Sequence, residues 1–153
     1  MTALYYLHLI MTKTILLLDD DPDELEILHD AFTAIGADVA LKQFLTFPAL
    51  LSHLQEITLL PDMLLLDVNL PQQNGLEAIR IIKSSVYLAP LPIVMYSNAA
   101  DEQTIEDSFA FGAGAYMKKT TSIHLLKENL QLLLAWNLQT IFNLPISERT
   151  LLN

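Results

Sequence analysis

Apolar residues along this chain fall into two regimes, short unbroken runs and longer stretches at helical spacing. Thr14 to Leu18, Met63 to Leu66 and Pro92 to Tyr96 are short apolar runs of the kind that fill strands covered by helices on both faces. Val39 to Phe44 alternates but is diluted by Lys42 and Gln43, which predicts an edge strand, and Ala115 to Lys118 follows Gly112-Ala113-Gly114 as a fifth strand. Between them, Leu25, Leu28, Phe32 and Ile35 predict a helix stopped by Gly36. Pro48 to Glu56 predicts a second, and Leu76, Ile79 and Ile82 a third. A fourth is expected over Ala99 to Phe111, capped by Asn98, and Ile123, Leu126, Leu130 and Leu133 mark a fifth starting near Ser122. Asp21-Pro22-Asp23-Glu24 reads as a helix start, with Asp21 as N-cap and Glu24 closing a capping box. Five strands alternating with five helices predict an α/β fold, a doubly wound five-stranded parallel sheet.

Composition narrows the picture. The 153 residues, 52% hydrophobic, suffice for one domain with a sizeable core, expected over residues 13–137 with no room for a second effector domain. The net charge of −10, with eight scattered Lys and Arg, argues against nucleic acid or an anionic membrane as the main partner. No cysteine is present, which excludes a disulfide framework, a thiol nucleophile and a thiolate metal site, and accords with a cytoplasmic protein.

The two ends need separate treatment. Residues 1–12 begin with an apolar decapeptide that has no basic flank or cleavage site and about half of the ~20 residues a membrane helix needs. They are expected to form a disordered or loosely packed extension, with Met11 a candidate start. From Trp136 into the tail, residues 138–153, the apolar pattern of the last helix continues through Leu138, Ile141 and Phe142 towards Pro145. That surplus is expected either to fold back over the domain or to present a surface to a partner, a homodimer included.

Chemistry gathers where the strands end. Asp19 and Asp20 follow strand one, Asp67 strand three, Ser97 strand four and Lys119 strand five. Ligands of open α/β sheets bind at that edge, and a strand order of 2-1-3-4-5 would bring the three carboxylates together. Singly, each residue has an ordinary structural role as a turn acid or a surface charge. Jointly, three crowded anions call for a cation, and hard oxygen ligands without His or Cys suit Mg²⁺, to which the Asn69 carbonyl could add a ligand. A carboxylate beside Mg²⁺, a hydroxyl and an ammonium meet the needs of attack on phosphorus, with Asp67 as nucleophile, Ser97 as donor and Lys119 as counter-charge. A one-residue slip at the end of strand five would present Lys118 instead.

This set resembles the receiver domain of two-component response regulators. The stretch Asp67-Val68-Asn69-Leu70-Pro71-Gln72-Gln73-Asn74-Gly75 looks like that family's turn after the phosphoacceptor. The resemblance implies a flavodoxin-like receiver fold and Mg²⁺ bound by Asp19, Asp20 and Asp67. It further implies phosphorylation of Asp67 by a sensor histidine kinase or phosphotransfer protein, completion of the site by Ser97 and Lys119, and signalling to a downstream protein. Tyr116 falls where the family often carries a switch aromatic. One departure stands out, since Thr120 follows Lys119 where the family usually has a proline in a cis bond.

Rival readings fit less well. A dehalogenase-like phosphatase needs a general acid two residues after its Asp nucleophile, and Asn69 cannot serve. A nucleotide binder needs a glycine- or hydroxyl-rich loop after strand one, where Asp19-Asp20-Asp21-Pro22 would repel phosphate. A receiver-like interaction module that is never phosphorylated is the remaining alternative.

Overall fold

The computed structural model describes residues 2–4, 12–136 and 143–152. The strands are β1 (Lys13–Leu18), β2 (Val39–Phe44), β3 (Met63–Leu66), β4 (Ile93–Ser97), β5 (Ala115–Lys118) and β6 (Thr150–Leu151). The helices are α1 (Pro22–Ala34), α2 (Phe47–Glu56), α3 (Gly75–Ser84), α4 (Glu102–Ala110) and α5 (Ile123–Ala135), and a 3₁₀ turn covers Ile146–Arg149. The sheet is parallel throughout, in the order β2-β1-β3-β4-β5-β6.

Alternation along the strands divides the core into two layers. Leu16, Leu18, Leu64, Leu66, Ile93 and Met95 face one side with Phe47, Leu50 and Leu54 of α2 and Ile79 and Ile82 of α3. Ile15, Leu17, Met63, Leu65, Val94 and Tyr96 face the other, with Leu25, Leu28 and Phe32 of α1 and Leu126, Leu130 and Leu133 of α5. Every residue of β3 is buried, so the central strand has no solvent face, as its leucine run predicts.

The structure adds a sixth strand to the five expected. Thr150 and Leu151 pair with Tyr116 and Met117 along the outer edge of β5. Two residues are too short to show a period, and what places them is a side chain. Arg149 is buried, donates from Nε to the Leu144 carbonyl (3.0 Å) and from its guanidinium to the Gly114 carbonyl (3.2 Å), and lies over the Phe109 ring. The tail thus folds back at 143–152, while Leu138, Ile141 and Phe142 lie outside the described residues, as do 1 and 5–11 of the N-terminal extension.

Helix ends depart from expectation for local reasons. Helix α4 starts at Glu102, with Asp101 accepting from the Thr104 N–H, rather than at Ala99 under Asn98. The Ala99 N–H is committed to Ser97 Oγ and its carbonyl to the Tyr116 hydroxyl, so the turn at 98–100 belongs to the strand ends. Thr46 caps α2 one residue earlier than Pro48 suggests, accepting from the Ala49 N–H. Helix α5 stops at Ala135, because Trp136 turns extended (ψ 139°) and packs on the α1/α5 layer instead of continuing the helix. At α1, Asp21 is the N-cap, and it accepts from the Asp23 N–H at 2.9 Å.

Candidate phosphoacceptor site

The pairing of β1 with β3 sets Leu18 beside Leu66, so the next residues, Asp19 and Asp67, leave the sheet side by side. The Asp67 N–H holds that register by donating to the Leu18 carbonyl (3.1 Å). The two buried carboxylates are arranged alike. Asp19 Oδ1 accepts from the Asp21 N–H (3.0 Å) and Asp67 Oδ1 from the Asn69 N–H (3.1 Å). Their Oδ2 atoms share the Lys119 ammonium, at 2.7 Å and 3.1 Å respectively. The loop after β5 therefore presents Lys119, not Lys118.

Asp20 completes the cluster from the solvent side. Carboxylate oxygens of Asp19, Asp20 and Asp67 lie within 4.8 Å of one another, with Asp20 exposed and the other two buried. Asp20 and Asn69 line one open depression of about 500 Å³ together with residues 70–74. A donor set of three carboxylates, one of them exposed, fits a hard divalent cation entering from solvent. Asn69 is tied back by a bridge to Asn74, the residue that caps α3 through the Leu76 N–H.

Ser97 and Tyr116 lie deeper. Ser97 is fully buried, its Oγ accepts from the Ala99 N–H (3.2 Å), and its carbonyl accepts from the Lys119 N–H (2.9 Å). The Tyr116 ring is also fully buried, and its hydroxyl donates to the Ala99 carbonyl within hydrogen-bonding reach of Ser97. The Lys119–Thr120 bond is trans, and Thr120 Oγ1 accepts from the Ser122 N–H (3.1 Å), opening the turn into α5.

Charge and burial oppose one another here. Burial pushes the Asp19 carboxyl above its ordinary value, against the downward pull of its bond to Lys119. Burial alone would lower Lys119, but the bond to Asp19 and the charges of Asp67 and Asp19 outweigh it and hold the ammonium above its ordinary value. Two neighbours escaped the sequence reading. Glu24, taken as a cap residue, is raised by burial and feels the charges of Lys119, Asp19, Asp21 and Asp67. Tyr96, assigned only to a strand, is raised by burial and by the charges of Glu24, Asp19 and Asp67. Its position next to Ser97 was the one available signal, and alternation sends its ring to the opposite face.

A doubly wound parallel sheet with this acid cluster and lysine at its carboxyl edge defines a class of signalling domain. The response regulator receiver domain family matches residues 15–131, and the chain belongs to that family. It is 35% identical over 109 residues to protein RcaC of Microchaete diplosiphon, covering 69% of this chain and 16% of that protein. It is 24% identical over 128 residues to the polar-differentiation response regulator DivK of Brucella ovis, covering 79% of this chain and 95% of DivK. The Mn²⁺-bound form of response regulator Rcp1 superposes with a TM-score of 0.72 at 24% identity, over 84% of this chain and 96% of Rcp1. The chain spans 16%, 25% and 54% of the first three curated relatives it matches. No helix among the described residues is long and apolar enough to cross a membrane.

Proposed function

We propose that Asp67 accepts a phosphoryl group from a histidine kinase or phosphotransfer protein and that the protein signals through protein contacts. The observation that carries this reading is the meeting of Asp67 and Lys119 at 3.1 Å beside Asp19 and Asp20, at the edge where an open α/β sheet takes its ligand. In the transfer, one Asp67 oxygen forms a bond to phosphorus, and the bond from phosphorus to the donor breaks, its electron pair leaving with the donor. Asp19, Asp20, Asp67 and the Asn69 carbonyl would hold Mg²⁺, which when bound neutralises charge on the carboxylates and the phosphoryl oxygens. Lys119 turns from Asp67 Oδ2 to a phosphoryl oxygen as charge moves there, and Ser97 donates its hydroxyl proton to another.

Asp20 is the principal metal ligand in this reading, because both Asp19 oxygens are already engaged by Lys119 and the Asp21 N–H. Acetyl phosphate with Mg²⁺ should give an acid-stable, base-labile acyl phosphate that Asp67→Asn abolishes, and Asp20→Ala should weaken Mg²⁺ binding more than Asp19→Ala. Equal labelling of Asp67→Asn would overturn the phosphoacceptor assignment. A wild-type chain that binds Mg²⁺ but takes no label would instead be a receiver-fold interaction module.

A further inference from the structure

Lys119 is the most constrained cation at the site. Its side chain is only 7% exposed, and its ammonium carries three N–H groups, of which two meet Asp19 Oδ2 and Asp67 Oδ2. Behind it stands Tyr96, 3% exposed on the α1/α5 side of β4, with the Lys119 Nζ 5.4 Å from its ring centroid. That separation lies within the ~6 Å at which a ring face attracts a cation, and such contacts are strongest where water is excluded. Tyr96 lies in β4 and Lys119 directly follows the adjacent β5: Ser97 pairs with Lys118, which puts Tyr96 and Lys119 one step either side of that register.

We propose that the Tyr96 ring is the support that positions Lys119 for phosphoryl transfer to Asp67. The inference rests on the phosphoacceptor reading and adds a residue to it. An aromatic face suits the task because it carries no formal charge, so it neither competes for the divalent cation nor repels the incoming phosphoryl group as a further carboxylate would. A ring face attracts a cation across its whole breadth, so Lys119 remains held over it while it exchanges a carboxylate oxygen for a phosphoryl oxygen. Thr120 leaves the loop without the proline that follows the lysine elsewhere in the family. The ring and the Lys119 N–H to Ser97 carbonyl bond hold the lysine together with its bonds to Asp19 and Asp67.

The test compares Tyr96→Leu and Tyr96→Phe with the wild type, using acetyl phosphate and Mg²⁺. Tyr96→Leu should slow Asp67 labelling by about fivefold at saturating donor, with Mg²⁺ affinity unchanged, and Tyr96→Phe should restore the rate. Tyr96→Leu should have no further effect in a Lys119→Ala background, whereas loss through general disruption of the core would slow both backgrounds alike. Carbon-edited NMR gives a readout independent of turnover, because the ring current should shift the Lys119 ε-methylene protons upfield in the wild type and Tyr96→Phe but not in Tyr96→Leu. Equal labelling of Tyr96→Leu, or an additive effect in the double variant, would overturn the role of the ring. Failure of the wild type to be labelled at all would overturn the underlying reading instead.

Discussion

Gly75 lies directly against the backbone that carries Asp67. Its N–H donates to the Val68 carbonyl at 2.7 Å, and a Cβ at this position would overlap the Asp67 carbonyl oxygen and stand 2.7 Å from Val68 Cα. The first turn of α3 is thereby clamped to the loop that aims Asp67, and the clamp tolerates no side chain. Backbone atoms on both sides leave no rotamer to absorb the strain. Gly75→Ala should cost about 1–3 kcal/mol of stability in urea unfolding, as overpacking does elsewhere. It should also slow Asp67 labelling at concentrations of denaturant where the variant is still folded, because the displaced atoms belong to Asp67 itself.

Asp19 sets a pH dependence. Its folded pKa is raised, chiefly by burial, so the stability it contributes is fully present below its ordinary value of 3.8 and is lost as pH rises through the raised value. The Lys119 pKa is also raised, so its contribution stays intact up to its ordinary value of 10.5 and is lost above that. The ionised Asp19 carboxylate is therefore the form that folding disfavours. In EDTA, Asp19→Asn should stabilise the protein at pH 7 by about 1 kcal/mol, since Lys119 keeps Asp67 as a partner while a buried charge is removed. Mg²⁺ should stabilise the wild type more than Asp19→Asn. Thermal unfolding at pH 5 and pH 7, with and without metal, measures both effects.

Ser97 and Tyr116 meet at Ala99, the serine through its N–H and the tyrosine through its carbonyl. Movement of the Ser97 hydroxyl to a phosphoryl oxygen would release the Ala99 N–H and shift the carbonyl that Tyr116 holds, coupling site occupancy to β5 and α4. With beryllofluoride as phosphoryl mimic, the ring signals of labelled Tyr116 should move in the wild type and move less in Ser97→Ala. Ser97→Ala should still be labelled on Asp67, at a lower rate. Ring signals unchanged in the wild type would rule out the coupling.

Arg149 holds the tail strand in place by bridging Gly114 and Leu144 over Phe109. Arg149→Ala removes both donors and leaves the Gly114 carbonyl with one fewer partner at a buried edge, a loss of about 2 kcal/mol in the docking of β6. Amide exchange should quicken at Thr150, Leu151 and the facing residues of β5 while β1 and β3 keep their protection. Protection unchanged at Thr150 and Leu151 would show that backbone pairing alone retains the strand.

Local patterning is enough to set the layers of this protein and the edge where its chemistry lies. A period of two in the strands and 3.6 in the helices is a local property, and strand-end residues can be read once the strands are found. That is why Asp19, Asp20, Asp67, Ser97 and Lys119 can be read from the strand ends alone. Tertiary structure alone decided what depends on contacts between distant segments. Lys119 comes to rest on both Asp19 and Asp67 because β1 pairs with β3 and β4 with β5. Helix α4 begins at Glu102 because Ser97 and Tyr116 have already claimed the Ala99 backbone. The sixth strand exists because a buried arginine finds the Gly114 carbonyl 35 residues away in sequence. Tyr96 joins the site because the lysine that follows the neighbouring strand comes to rest against its ring. Each of these follows from where the chain brings a partner, a relation between distant positions that no window of local sequence contains.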